Sequence, residues 1–120
     1  MGIDMLFNNI TLIVKSNSIL TPKENNCEWY LWTIHIESKP MSILDNIDHV
    51  TYHLHSTFPN PNITINKSDK NKTFQLKGRG WAEFIVVVDI FIKDSKYEIE
   101  HYLKLDYGNH QTEKRFRMST

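Results

Sequence analysis

HVTYHLHSTFPNP, from His49 to Pro61, followed after a polar loop by KGRGWAEF, from Lys77 to Phe84, is the stretch on which the fold turns. In the first segment Val50, Tyr52 and Leu54 alternate with Thr51, His53 and His55, the period of a strand with one face turned inward. Pro59 and Pro61 cannot donate ladder hydrogen bonds and end that strand. In the second segment Gly78 and Gly80 flank Arg79, which predicts a turn with positive φ. Trp81 to Lys93 then carries the longest strand signal. Phe58 and Trp81 therefore stand where the backbone changes direction. Bulky aromatics are an unusual choice for turns, and these two are the first candidates for a ligand site.

The flanking sequence supplies the partners. Met5 to Ser16 reads as a first strand along a sheet edge, closed by Lys15-Ser-Asn-Ser18. Turn residues mark a loop from Ile19 to Cys27. Trp29 to Ile36 is a second strand, with Trp32, Ile34 and Ile36 facing inward. Met41, Leu44 and Ile47 recur at three-residue spacing, which predicts one helical turn. Asn62 to Lys72 reads as a short edge strand with a loop, and Thr73 to Leu76 as a brief fourth strand. Asp94-Ser95 turns the chain back into a partner strand, Tyr97 to Leu105. Residues 108–120 are polar and basic and are expected to fray as a tail beyond a domain spanning residues 1–107. Many short strands and little helix predict an all-β fold, an immunoglobulin-like β-sandwich of about seven to eight antiparallel strands.

Composition narrows the function classes. The chain of 120 residues has room for one domain, and 40% hydrophobic with 23% charged residues suits a globular one. A formal net charge of zero offers no basic face to phosphates, so no direct nucleic-acid partner is expected. The longest apolar run is broken by Asp89 and is too short for a membrane span. The single cysteine, Cys27, excludes an intrachain disulfide and a Cys-based zinc site, and an intracellular location is the expectation. No basic region precedes the apolar start, as a secretory signal would require.

Two chemical constellations can be assembled on paper. His53 and His55 stand two apart, an allowed spacing for two metal ligands, but no third ligand belongs with them. Ser56, His55 and Asp89 supply the residue types of a hydrolytic triad, without a nucleophile elbow or oxyanion-hole signature. The expectation is a protein without cofactor, metal or catalysis. The third constellation is Phe58 and Trp81 with Thr57 between strand end and turn. On spacing alone the stronger reading has Trp81 plugging the core and Phe58 packed beside it. If the two turns meet, the rings instead frame a slot for a flat, uncharged group, with Thr57 giving a hydroxyl and the Trp81 and Ala82 backbone a directed donor.

The run Val50-Thr-Tyr-His-Leu-His-Ser-Thr-Phe-Pro-Asn-Pro, followed by Gly80-Trp-Ala-Glu-Phe, resembles the YEATS domain family. Trp32-Thr-Ile-His-Ile-Glu is similar to that family's early strand, so the likeness runs from about Trp32 to Ile92. It implies an immunoglobulin-like sandwich that reads acylated lysine of acetyl or crotonyl type, without enzymatic activity. By the resemblance Phe58 and Trp81 form the aromatic walls, Thr57 bonds the acyl amide, His55 supports the wall, and Gly80, Trp81 and Ala82 offer backbone groups. Glu28, Trp29, Ser56 and Glu83 form the expected rim. Glu28 stands where some readers carry a pocket-closing aromatic, and Glu83 where many members have glycine. The short hairpin and Trp29-Tyr-Leu-Trp32 look more like the prokaryotic branch, whose members accompany signalling effectors. The implied partner is an acylated-lysine peptide or protein: a histone-like tail in a nucleus, or another target in a prokaryotic cytoplasm. The alternatives are a bacterial sensory or adaptor domain with another ligand in the same slot, a methyl-lysine reader, and a small hydrolase using His55.

Overall fold

The computed structural model describes residues 9–20 and 29–117. Its elements run β1 (Asn9–Leu20), β2 (Tyr30–Lys39), a 3₁₀ turn (Met41–Asn46), β3 (Ile47–His53), β4 (Asn62–Asn66), β5 (Leu76–Gly80), β6 (Phe84–Ile92), β7 (Ser95–Leu103) and β8 (Asn109–Arg117). They form two four-stranded antiparallel sheets, ordered β5-β2-β1-β8 and β4-β3-β6-β7. This is the expected immunoglobulin-like sandwich. Among the described residues no helix is long and apolar enough to cross a membrane.

Period-two patterning builds the core. Ile10, Leu12 and Val14 of β1 and Trp32, Ile34 and Ile36 of β2 point into it from one sheet. Val50 and Tyr52 of β3, Val86, Val88 and Ile90 of β6, and Ile99 and Leu103 of β7 meet them from the other. Each such aliphatic side chain contributes about 1.5–3 kcal/mol relative to exposure. The Tyr52 hydroxyl, buried with its ring, donates to the carbonyl of Phe74, and burial raises its pKa.

The structure corrects several local expectations. β1 is not an edge strand: β8 pairs with it from Asn9↔Arg117 to Asn17↔Asn109, so residues 109–117 are a sheet strand and not a fraying tail. The polar run Lys15–Ser18 does not end β1 either. Ser16 and Ser18 are buried, and their hydroxyls find partners in His101 and in the Tyr107 N–H. The 3₁₀ turn buries Ile43, not Met41, which is 80% exposed. The fourth strand of the reading lies further along, as β5, and the β6–β7 hairpin turns at Lys93-Asp94, with Lys93 at φ 55°.

Gly78 and Gly80 do not turn with positive φ; they lie in β5, and among the described residues no glycine has positive φ. The reason for Gly78 is close approach. A Cβ there would lie 2.3 Å from the buried Trp32 ring, across the Trp32↔Gly78 pair. Gly78→Ala is therefore expected to cost about 1–3 kcal/mol by overpacking. Urea denaturation checks this, with Gly80→Ala, where nothing lies within 4 Å of the added carbon, as the mild comparison.

His101 of β7 is buried at 1% exposure, with Nε2 2.7 Å from Ser16 Oγ and Nδ1 2.8 Å from Thr112 Oγ1. Burial, reinforced by the nearby His110, pushes its pKa down from 6.5 to about 4. The unfolded chain therefore takes up this proton before the folded one does. His101 leaves stability intact above its unfolded pKa and removes it as pH falls toward 4, by about 3 kcal/mol. Denaturation midpoints between pH 7.5 and pH 4 are expected to fall less steeply in His101→Gln, which has no proton to gain.

Candidate functional site

The slot begins with a turn at the end of β3. The Phe58 N–H donates to the His55 carbonyl at 3.0 Å, and the Leu54 N–H donates to Pro61 O at 2.6 Å, which closes the loop at its base. On the other side β5 pairs with β2 from Ile34↔Leu76 to Tyr30↔Gly80, so Trp81 follows directly at the sheet's end. Between them opens a cleft of about 450 Å³. His55, Thr57, Phe58, Gly80, Trp81 and Ala82 all line it, as do Trp29 and Glu83 of the expected rim. Ser56 is exposed and does not line it, and Glu28 lies outside the described residues. Pro59, Arg79 and Phe84 complete the lining.

The two aromatic walls differ in support. Phe58 is half-buried, 5.4 Å from Phe84 and 6.3 Å from Trp32 between ring centroids. It packs on the core as well as on the cleft. Trp81 is 68% exposed, so it does not plug the core as spacing alone favoured. Its ring meets Trp29 edge-on at 4.4 Å, and the Arg79 guanidinium lies 5.0 Å from the Trp29 centroid. Leu31↔Arg79 pairing puts Arg79 beside Trp29, a relation across strands that nothing in the local sequence marks.

Hydrogen bonding sets the polarity of Thr57. Its backbone N–H donates to His55 Nδ1 at 3.2 Å, so that nitrogen is the unprotonated acceptor. The Thr57 hydroxyl, 2.9 Å from the same nitrogen, must then donate to it. That leaves the hydroxyl lone pairs as acceptors for an N–H. Glu83 is engaged elsewhere: Tyr102 OH and the Leu105 N–H each donate to its carboxylate at 2.9 Å. The Leu105 bond first, and Tyr102 second, lower its pKa.

The paper constellations come apart. His53 Nδ1 lies 2.7 Å from Asn62 Oδ1 and its Nε2 2.7 Å from Asp89 Oδ2, contacts that raise its pKa, Asn62 foremost. Asp89 therefore serves His53 and not His55, and no Ser56–His55–Asp89 relay forms. His53 and His55 have separate partners and do not converge as a ligand pair.

The two-sheet sandwich with an aromatic cleft at the ends of its strands matches one family of domains. The prokaryotic YEATS domain family matches residues 30–104, and the chain belongs to the YEATS domain family. A Schizosaccharomyces pombe protein, transcription initiation factor TFIID subunit 14, is 42% identical over 59 residues, which are 48% of this chain and 23% of that protein. The Candida albicans protein AF-9 homolog is 29% identical over 92% of this chain and 45% of its own length. The chain thus spans less than half of the curated relatives it matches. Structures of the Yaf9 YEATS domain share the fold at 22% identity over 91% of this chain and 84% of theirs. The TM-score is 0.69 for the form recognizing an H3K122suc peptide and 0.70 for the form bound to H3K27ac.

Proposed function

We propose that the cleft between Phe58 and Trp81 binds an acylated lysine side chain and that the domain is a non-catalytic reader. The observation that carries this is Thr57, whose hydroxyl is held by His55 Nδ1 with its lone pairs left for an amide N–H, in a cleft walled by Phe58 and Trp81. An acyl amide is flat and uncharged, so it stacks on aromatic faces and loses little on leaving water once its polar atoms are paired. A free ammonium would be desolvated at high cost. Gly80, Trp81 and Ala82 line the same cleft, and their backbone is assigned the amide oxygen. The Yaf9 domain seen with acylated histone peptides supports the reading. The prokaryotic family match supports a second one, in which the same slot serves a sensory or adaptor role on a non-histone target.

Titration of the domain with one peptide in acetyl-lysine, crotonyl-lysine and unmodified forms tests the reading. Saturable binding of the acylated forms alone is expected. Saturation by neither acylated form would overturn the assignment.

A further inference from the structure

The zero net charge of the chain is not spread evenly around the mouth of the cleft. β5 is the edge strand of its sheet, and Lys77 and Arg79 stand exposed on its outer face, with Gly78 against the Trp32 ring between them. Pairing across β2 and β1 sets Leu31 beside Arg79 and Ile19 beside Leu31, both exposed. An apolar lane therefore leaves the cleft at Trp29, whose ring Arg79 covers, and crosses the sheet. Among the described residues no salt bridge engages Lys77 or Arg79. The nearby carboxylates are taken: Glu83 of the cleft accepts from Tyr102 and Leu105, and Glu37, further along β2, pairs with Lys15 and His35, each at 2.9 Å. The face beside the cleft is thus cationic and apolar together.

We propose that this lane receives the residues flanking the acyl-lysine, and that the partner is an acidic polypeptide segment with a bulky apolar residue beside the modified lysine, not a lysine- and arginine-rich tail. The inference rests on the acyl-lysine reading and names the partner within it. Charge complementarity carries it: carboxylates flanking the lysine meet two cations that have no salt-bridge partner, whereas a basic tail brings like charges to the same rim. A rim pair is worth little singly, so the selection comes from attraction and repulsion summed over both cations. Leu31 and Ile19 supply the apolar area that a side chain next to the lysine covers. Neighbouring strands lie about 4.8 Å apart, so an extended segment crosses from β5 to β1 within about three residues. The selection runs against a histone-like tail and favours the non-histone target of the second reading.

Fluorescence polarization tests this with crotonyl-lysine peptides that carry acidic, neutral or basic flanks, each with one leucine beside the lysine, and a fourth with acidic flanks and glycine for the leucine. Wild type is expected to bind the acidic form about tenfold more tightly than the basic one at low sodium chloride, with the gap narrowing as salt screens it. The glycine peptide is expected to bind about threefold more weakly than its leucine counterpart. Lys77 does not line the cleft, so Lys77→Gln reads the flanks alone and is expected to narrow the gap to about threefold. Adding Arg79→Gln is expected to bring the ratio to about one. Equal affinity across the three flanks, no loss from the glycine peptide, or a gap unchanged in the double variant overturns this inference and leaves the slot reading standing. Absence of saturable binding by every crotonyl-lysine peptide overturns both.

Discussion

Trp81→Ala is expected to weaken acyl-lysine peptide binding by about a hundredfold while leaving the domain as stable as wild type. The magnitude follows from losing one stacking wall, which removes about 0.5–1.5 kcal/mol of ring geometry in addition to the buried area. Stability should hold because Trp81 is 68% exposed and contributes little to the core. Phe58→Ala should lose binding comparably, yet it should also lose roughly 2 kcal/mol of stability, a part of the full penalty for a buried aromatic. Phe58 packs against Phe84 and Trp32, and Trp81 does not share that support. Paired titration and thermal melts of the two variants separate a wall that only binds from one that also holds the sandwich.

Removing residues 108–120 is expected to abolish cooperative unfolding, or to lower stability by several kcal/mol of the roughly 5–15 available to such a domain. β8 forms nine residue pairs with β1, and its loss would turn the central Ile10–Val14 segment into an open edge. Phe116 would leave Tyr97, 5.0 Å away between ring centroids, and His101 would lose the Thr112 hydroxyl from Nδ1. Urea denaturation followed by tryptophan fluorescence reads this, through Trp32 in the core. A truncated chain with an unchanged midpoint would mean that β8 adds nothing.

What was legible in the sequence was what is encoded locally. Trp32, Ile34 and Ile36 announce a strand and its buried face in a single alternating run, and Val50 and Tyr52 do the same. β8 escaped because an edge strand buries only part of one face. In NHQTEKRFR only Phe116 is a strong apolar signal. The serines of β1 escaped because their partners lie far away in sequence, Ser16 bonding His101 across 85 positions. Gly78 reads locally as a turn residue because its actual constraint, the Trp32 indole, lies on another strand. Phe58 and Trp81 were visible as oddly placed aromatics, but spacing could not set them in one cleft, and only the family resemblance pointed there. Arg79 and its place over Trp29 depend on the β2–β5 register, which no window of sequence contains.

Occupation of the cleft between Phe58 and Trp81 by an acylated lysine is tested by amide chemical-shift mapping during titration with a crotonyl-lysine peptide. Saturable shifts are expected to concentrate at Thr57, Phe58, Trp81 and Ala82 and at the Trp81 indole N–H, with none from the unmodified peptide. Saturation that leaves those signals in place and moves another face of the sandwich would contradict it.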